Sequence, residues 1–156
     1  MKAKIIPTLL LAVIGLTTSA RADLPGNPVR TVVITVNDNM KFSVTRITVG
    51  PGEKICVQLR NEGTLAKEIM GHNWVLLKAG RDVAAYAAAA IPAKAQDYQP
   101  KALAGEVLAS IPLIGAHHSG EITFTAPGEP GSYPFLCSFP AHCQVGMRGE
   151  LVVKQP

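Results

Sequence analysis

Cys137, His142 and Met147 fall within the eleven-residue stretch Cys137-Ser-Phe-Pro-Ala-His-Cys-Gln-Val-Gly-Met147, which puts a thiolate, an imidazole and a thioether on one loop. A fourth donor stands far upstream, His72 in Met70-Gly-His-Asn-Trp74. Two imidazoles and a thiolate in a trigonal plane, with a weakly held Met sulfur above, make an electron-transfer copper site. The mixture of softness is the chemical reason. Thiolate and thioether favour Cu(I), imidazole suits both oxidation states, and a compromise geometry lets an electron move with little rearrangement.

Each residue also has an ordinary reading. His72 at a strand start would by itself be a structural histidine, and only Cys137 and His142 turn it into a ligand candidate. Cys137 follows Tyr133-Pro-Phe-Leu136, which reads as an aromatic strand, and would pack there as a small hydrophobe, were His142 and Met147 not placed at metal-loop spacing. A catalytic Cys–His pair is the rival chemistry, but it needs an orienting group and an oxyanion site and gives Met147 no part. His117 and His118 are adjacent, so their rings diverge on an extended chain, and neither is taken as a ligand.

The elements that must position these donors are mostly strands. Thr31–Val36 is β-branched, Lys54–Leu59 and Glu121–Thr125 alternate, Asn73–Leu77 reads as a buried strand, and Gly149–Val153 closes the chain. Glycine and proline turns separate them, as in Val49-Gly-Pro-Gly52 and Ala126-Pro-Gly-Glu-Pro-Gly131. This rhythm predicts an all-β sandwich of antiparallel sheets. One stretch departs from it: Arg81–Ala90 is Ala-rich, free of Gly and Pro, and predicts an inserted helix stopped at Ile91-Pro92.

Residues 1–22 read as a secretory signal peptide: Lys2 and Lys4, an apolar run from Ile5 to Leu16, then Ala20-Arg-Ala22. The expected mature domain is 23–156, exported to the periplasm and without a membrane span. The chain has 15 Lys and Arg, 11 Asp and Glu and a net charge of +4. Lys2, Lys4 and Arg21 leave with the leader, so twelve basic and eleven acidic residues remain, a net charge of +1. No basic cluster with interleaved aromatics points to nucleic acid. The roughly 134 residues left suffice for one domain with a proper core. Three cysteines cannot all pair within one chain. Cys56 and Cys143, read as partly exposed and near the surface, are left free or bridged.

At these residues the chain resembles the azurins, small blue copper proteins of the cupredoxin family. The likeness rests on Met70-Gly-His-Asn-Trp-Val-Leu76 and on Cys137-Ser-Phe-Pro-Ala-His142, with Ala141 where azurins usually have Gly. Weaker likenesses run through Gly63–Lys67, Asp97-Tyr98 and Leu113–Gly115. The resemblance implies a Greek-key sandwich of about eight strands with a helical flap over Arg81–Ala90. It implies one type 1 copper held by His72, Cys137 and His142, with Met147 axial and the Gly71 carbonyl a weak contact from the other side. Asn73 would tie the two ligand loops together, a task shared by Ser138. Two departures stand out. Azurins have three residues between the second His and Met, whereas Cys143–Gly146 makes four here, and the usual azurin disulfide lacks its cysteines.

The expected function is a periplasmic one-electron carrier rather than an enzyme. Its partners would be redox proteins such as c-type cytochromes or periplasmic reductases and oxidases, docking near His142 on an apolar patch of Leu65, Met70, Ala141 and Val145. Copper delivery or buffering, assisted by Cys143, is the alternative. A copper oxidase or nitrite reductase would require further His clusters, which His117-His118 cannot supply.

Overall fold

A computed structural model describes residues 29–155; the signal peptide expected at 1–22 lies outside them. Eight strands form two sheets. The three-stranded sheet has the order β1 (Arg30–Val36), β3 (Lys54–Asn61), β6 (Ser119–Thr125). The five-stranded sheet runs β2 (Arg46–Val49), β8 (Arg148–Val153), β7 (Gly131–Leu136), β4 (His72–Leu77), β5 (Val107–Ile114). Alternation explains the layering: Ile34, Val36, Ile55, Val57 and Leu59 from the first sheet meet Ile47, Val49, Trp74, Leu76, Ile111, Phe135 and Leu151 from the second. Trp74 and Phe135 lie at the centre, 5.4 Å between ring centroids.

The antiparallel expectation is corrected in two places. β1 pairs with β3, and β2 with β8, in parallel. The reason is the order in which the chain visits the sheets. From β1 it crosses to the other sheet for β2 and returns for β3, so two reversals leave β1 and β3 pointing the same way. A turn signal marks a reversal but not which sheet receives the next strand.

β4 is buried on both faces, which a strand with one solvated face would not be. Trp74 and Leu76 enter the sandwich, while Val75 and Leu77 join Tyr86, Ala87, Leu136 and Cys143 in a second cluster on the outer side. That outer face is covered by α2 (Val83–Ala90), whose Tyr86, Ala87 and Ala90 are buried. Small side chains let the helix approach the sheet closely. Asp82 caps it, accepting from the Ala84 and Ala85 amides at 2.8 and 3.3 Å. The helix therefore begins two residues after Arg81 and ends at Ala90, directly before Ile91-Pro92, as expected. The chain tightens into a 3-10 turn over Ile91–Gln96 with proline at its second position, where the missing N–H costs nothing. A second 3-10 turn spans Lys101–Glu106, and α1 is a single turn, Lys67–Met70.

Among the described residues no helix is long and apolar enough to cross a membrane. Cys56, Cys137 and Cys143 are all free. Cys56 is only 9% exposed, and Cys143, expected near the surface, is 2% exposed because α2 lies over it.

Candidate metal centre

The donors come from the ends of three strands. α1 closes at Gly71, whose amide donates to the Lys67 carbonyl at 2.9 Å, and the chain turns directly into β4 at His72. No larger residue fits there, since a Cβ on Gly71 would stand 2.5 Å from the Lys67 carbonyl oxygen and 2.9 Å from Leu113 Cγ. The pairing of β4 with β5 shifts register between His72 and Trp74, an irregularity of the kind that re-aims side chains at strand ends. β7 ends at Leu136 and β8 begins at Arg148, so Cys137 to Met147 form the connection between two antiparallel neighbours.

That loop closes on itself. The Cys137 amide donates to the Met147 carbonyl at 3.0 Å, and the Met147 amide donates to the His142 carbonyl at 2.9 Å. Val145 donates to Ala141 and Gly146 to Cys143. Ala141 and Gly146 take the left-handed backbone region, with φ of 70° and 96°.

His72, Cys137 and His142 offer ligand atoms that lie within 4.8 Å of one another, all buried. The Cys137 Sγ and His142 Nδ1 are 3.4 Å apart, and the two imidazole centroids 4.9 Å. Met147 is fully buried in the same core. Neither ring nitrogen of His72 has a hydrogen-bond partner. A buried imidazole without partners is costly, so the ring needs something that takes its lone pair. The donor chemistry fits copper: two neutral imidazoles, one thiol and a thioether.

The electrostatics prepare the imidazoles for ligation. Burial lowers His72 to about 4, partly opposed by the Asn37 carbonyl and the Asp38 carboxylate nearby, neither in bonding geometry with the ring. His142 is lowered to about 4 by burial and then by His72. Both rings are neutral at pH 7, the form a metal requires. Burial pushes the Cys137 thiol up to about 12, while the Asn73 and Phe139 amides directed at the sulfur pull it down. Those amides favour the thiolate.

Further groups hold the ligand segments. Asn73 Oδ1 accepts from the Ser138 amide at 2.8 Å, and its Nδ2 donates to Ser138 Oγ at 2.8 Å and to the Asp97 carbonyl at 2.9 Å. Ser138 Oγ in turn donates to the Tyr98 carbonyl at 2.6 Å. Asp97 and Tyr98 both have positive φ, which turns their carbonyls toward this network. Phe139 packs against His142 with its ring tilted by 37° and centroids 4.7 Å apart, and Tyr98 meets Phe139 edge-on at 5.0 Å. The sequence reading passed over Phe139 and the carbonyls of residues 97 and 98. Only the Asp97-Tyr98 likeness pointed that way, since a backbone acceptor leaves no mark on residue type.

His142 is 2% exposed, so it is almost wholly covered. Leu65, Ala141 and Val145 are exposed and Met70 is half-buried, while Ile69 adds the largest apolar exposure, 63%. His117 and His118 are exposed on the connection between β5 and β6, outside the donor cluster.

Comparison with known proteins agrees with this geometry. Azurin of Pseudomonas chlororaphis is 36% identical over 122 residues, covering 75% of this chain and 92% of that protein. Auracyanin-A of Chloroflexus aurantiacus is 32% identical over 128 residues, covering 81% and 75%. Among solved structures, dithionite-reduced auracyanin from Roseiflexus castenholzii superposes with a TM-score of 0.70 at 37% identity, covering 80% of this chain and 96% of that one. Residues 29–154 match the family described as copper binding proteins, plastocyanin/azurin family. The chain therefore belongs to the plastocyanin/azurin family of blue copper electron-transfer proteins.

Proposed function

We propose that His72, Cys137, His142 and Met147 would hold one copper ion, with the Gly71 carbonyl as a further weak contact, and that the protein carries single electrons between redox partners. The observation that carries this reading is the convergence of three buried donors within 4.8 Å, one of them an imidazole with no other partner. Bound there, copper supplies a Cu(I)/Cu(II) couple.

The chain's residues do the rest. Burial of Cys137, His72 and Met147 excludes water from the donor set. Asn73 and Ser138 fix the relative position of the two ligand segments, so the donors need not move when charge changes. His142 gives a short path to a partner, and the apolar surface around it suits an encounter that buries little area and separates quickly. Redox proteins such as c-type cytochromes or periplasmic reductases and oxidases fit that surface. Export through residues 1–22 would bring the domain from Asp23 onward to the periplasm. The role is that of a carrier and not an enzyme, since the four donors leave no position for a substrate. Copper delivery is the weaker reading, because it asks for an accessible site and Cys143 faces inward.

The test is to add Cu(II) to the purified metal-free domain. Intense blue absorption and reversible one-electron reduction without copper loss are expected. Cys137→Ser should be colourless, and a variant that stays blue rejects the assignment. Ready transfer of Cu(I) to a chelating acceptor would favour delivery.

A further inference from the structure

The metal loop of this chain is one residue longer between His142 and Met147 than the azurin pattern, and the added length must be held if the Met147 sulfur is to have one position. The backbone bonds that close the loop use the carbonyls of Phe139, Ala141, His142, Cys143, Gly146 and Met147. The Val145 carbonyl accepts instead from the Lys41 ammonium, which reaches it from the connection between β1 and β2, 104 residues away in sequence. The same ammonium lies against the next residue, since a Cβ on Gly146 would stand 3.1 Å from Lys41 Nζ. Gly146 has φ of 96°, so two features meet at one point: a backbone turn that favours glycine and a cation packed on it.

We propose that Lys41 is a positioning residue for the Met147 side of the candidate copper site, holding the Val145–Gly146 segment so that Met147 keeps its place. This rests on the copper reading above. Lys41 touches no donor and acts through the loop backbone. A charged donor on a carbonyl makes one of the stronger hydrogen bonds available. The segment that carries it also serves the opposite ligand, for Asn37 and Asp38 lie close to His72. Asp38 further accepts from the Thr64 amide and hydroxyl, both at 2.9 Å. Residues 37–41 thus brace the loop before α1 at one end and the metal loop at the other.

The experiment compares wild type, Lys41→Met and Lys41→Arg. Lys41 is exposed, so the Met variant loses the ammonium without opening the core. With Cu(II) bound, Lys41→Met should show a changed ratio of the visible absorption bands, broader copper hyperfine lines in EPR and several-fold faster copper loss to a chelator. Lys41→Arg should restore all three. Loss of a positive charge by itself shifts the potential but not the band ratio, which reports ligand geometry. In the metal-free protein, the Gly146 and Met147 amides of Lys41→Met should exchange hydrogen several-fold faster than wild type. A Met variant with wild-type band ratio and wild-type exchange overturns the clamp and leaves the copper reading standing. A wild type that takes up Cu(II) without blue colour overturns the copper reading and, with it, the role of Lys41 toward Met147.

Discussion

Asn73 and Ser138, sixty-five positions apart, exchange two hydrogen bonds of 2.8 Å each, one in each direction. Asn73 follows His72 and Ser138 follows Cys137, so each member of the pair is bonded to the residue next to a donor. Both side chains are buried, and two bonds from one planar carboxamide, to the Ser138 amide and to its hydroxyl, fix orientation as well as distance. The pair joins β4 to the loop after β7 at the one place where their separation sets the distance from His72 to Cys137.

Replacing Asn73 by Leu should therefore weaken both fold and site. It leaves the buried Ser138 amide and the Asp97 carbonyl without partners, at a cost of about 2–4 kcal/mol. Urea unfolding of the metal-free protein measures that loss. Metal affinity should drop about 10–100-fold, as for other outer-shell replacements. An unchanged affinity would mean that the ligands are positioned without this bridge.

The neutral imidazoles predict a pH dependence for the metal-free protein. His72 and His142 titrate near 4 when folded and near 6.5 when unfolded. Between those values the unfolded chain binds more protons, so stability rises with pH across this window and is lost as pH falls through it. Part of the His142 shift is repulsion from His72, so the two imidazoles act as a coupled pair and their effects do not simply add. Urea midpoints should be level between about pH 7.5 and 8.5 and fall steeply toward pH 4. They should fall again above about pH 9, where the unfolded chain gives up the thiol proton that folded Cys137 keeps. Cys137, pushed up to about 12, is a thiol at pH 7. Metal uptake at that pH should thus release one proton, from Cys137 alone; two or more in a pH-stat titration would contradict the neutral imidazoles.

Cys143 behaves as a core residue. It packs with Val75, Leu77, Tyr86, Ala87 and Leu136, and its Sγ is 3.8 Å from the Val83 carbonyl. Burial raises its thiol above the ordinary value. Under native conditions it should resist thiol reagents and form no disulfide-linked dimer, reacting only after unfolding. Cys143→Ser should keep the blue colour and lose about 1–2 kcal/mol, the cost of a poorly satisfied buried hydroxyl. Rapid native labelling at Cys143 would show that α2 opens.

The convergence of Cys137, His142 and His72 could be read from sequence because metal-ligating chemistry uses few residue types at a recognisable spacing. β1, β3, β4, β6, β7 and β8 were legible from β-branched, alternating or apolar runs. β2 was not, being four residues, and β5 carries Ser110 and Pro112 inside an unalternating apolar run. The two parallel pairings and the inward turn of Cys143 depend on which elements meet across the sandwich, information that no local window holds. The network of carbonyls around Asn73 and Ser138 is hidden for the same reason.

Ala141 is the place where this chain departs from the glycine usual in azurins, and the structure gives the departure a cost. Its φ is 70°, in the left-handed region, where a Cβ crowds the following carbonyl. That conformation costs an ordinary residue about 1–2 kcal/mol. Ala141→Gly removes the strain but gives the unfolded chain extra freedom, worth about 0.4–1 kcal/mol against the fold. Ala141 is exposed, so its methyl contributes little packing. The strain is the larger of the two effects, and the variant should gain about 0.5–1 kcal/mol, raising the melting temperature of the metal-free protein by about 2–4 °C. The loop bond from the Val145 amide to the Ala141 carbonyl is a backbone contact and survives the change, so the visible spectrum of the copper-loaded variant should match wild type. A lower melting temperature would show that the surrounding loop already relieves the strain and that the alanine stabilises by stiffening the unfolded chain.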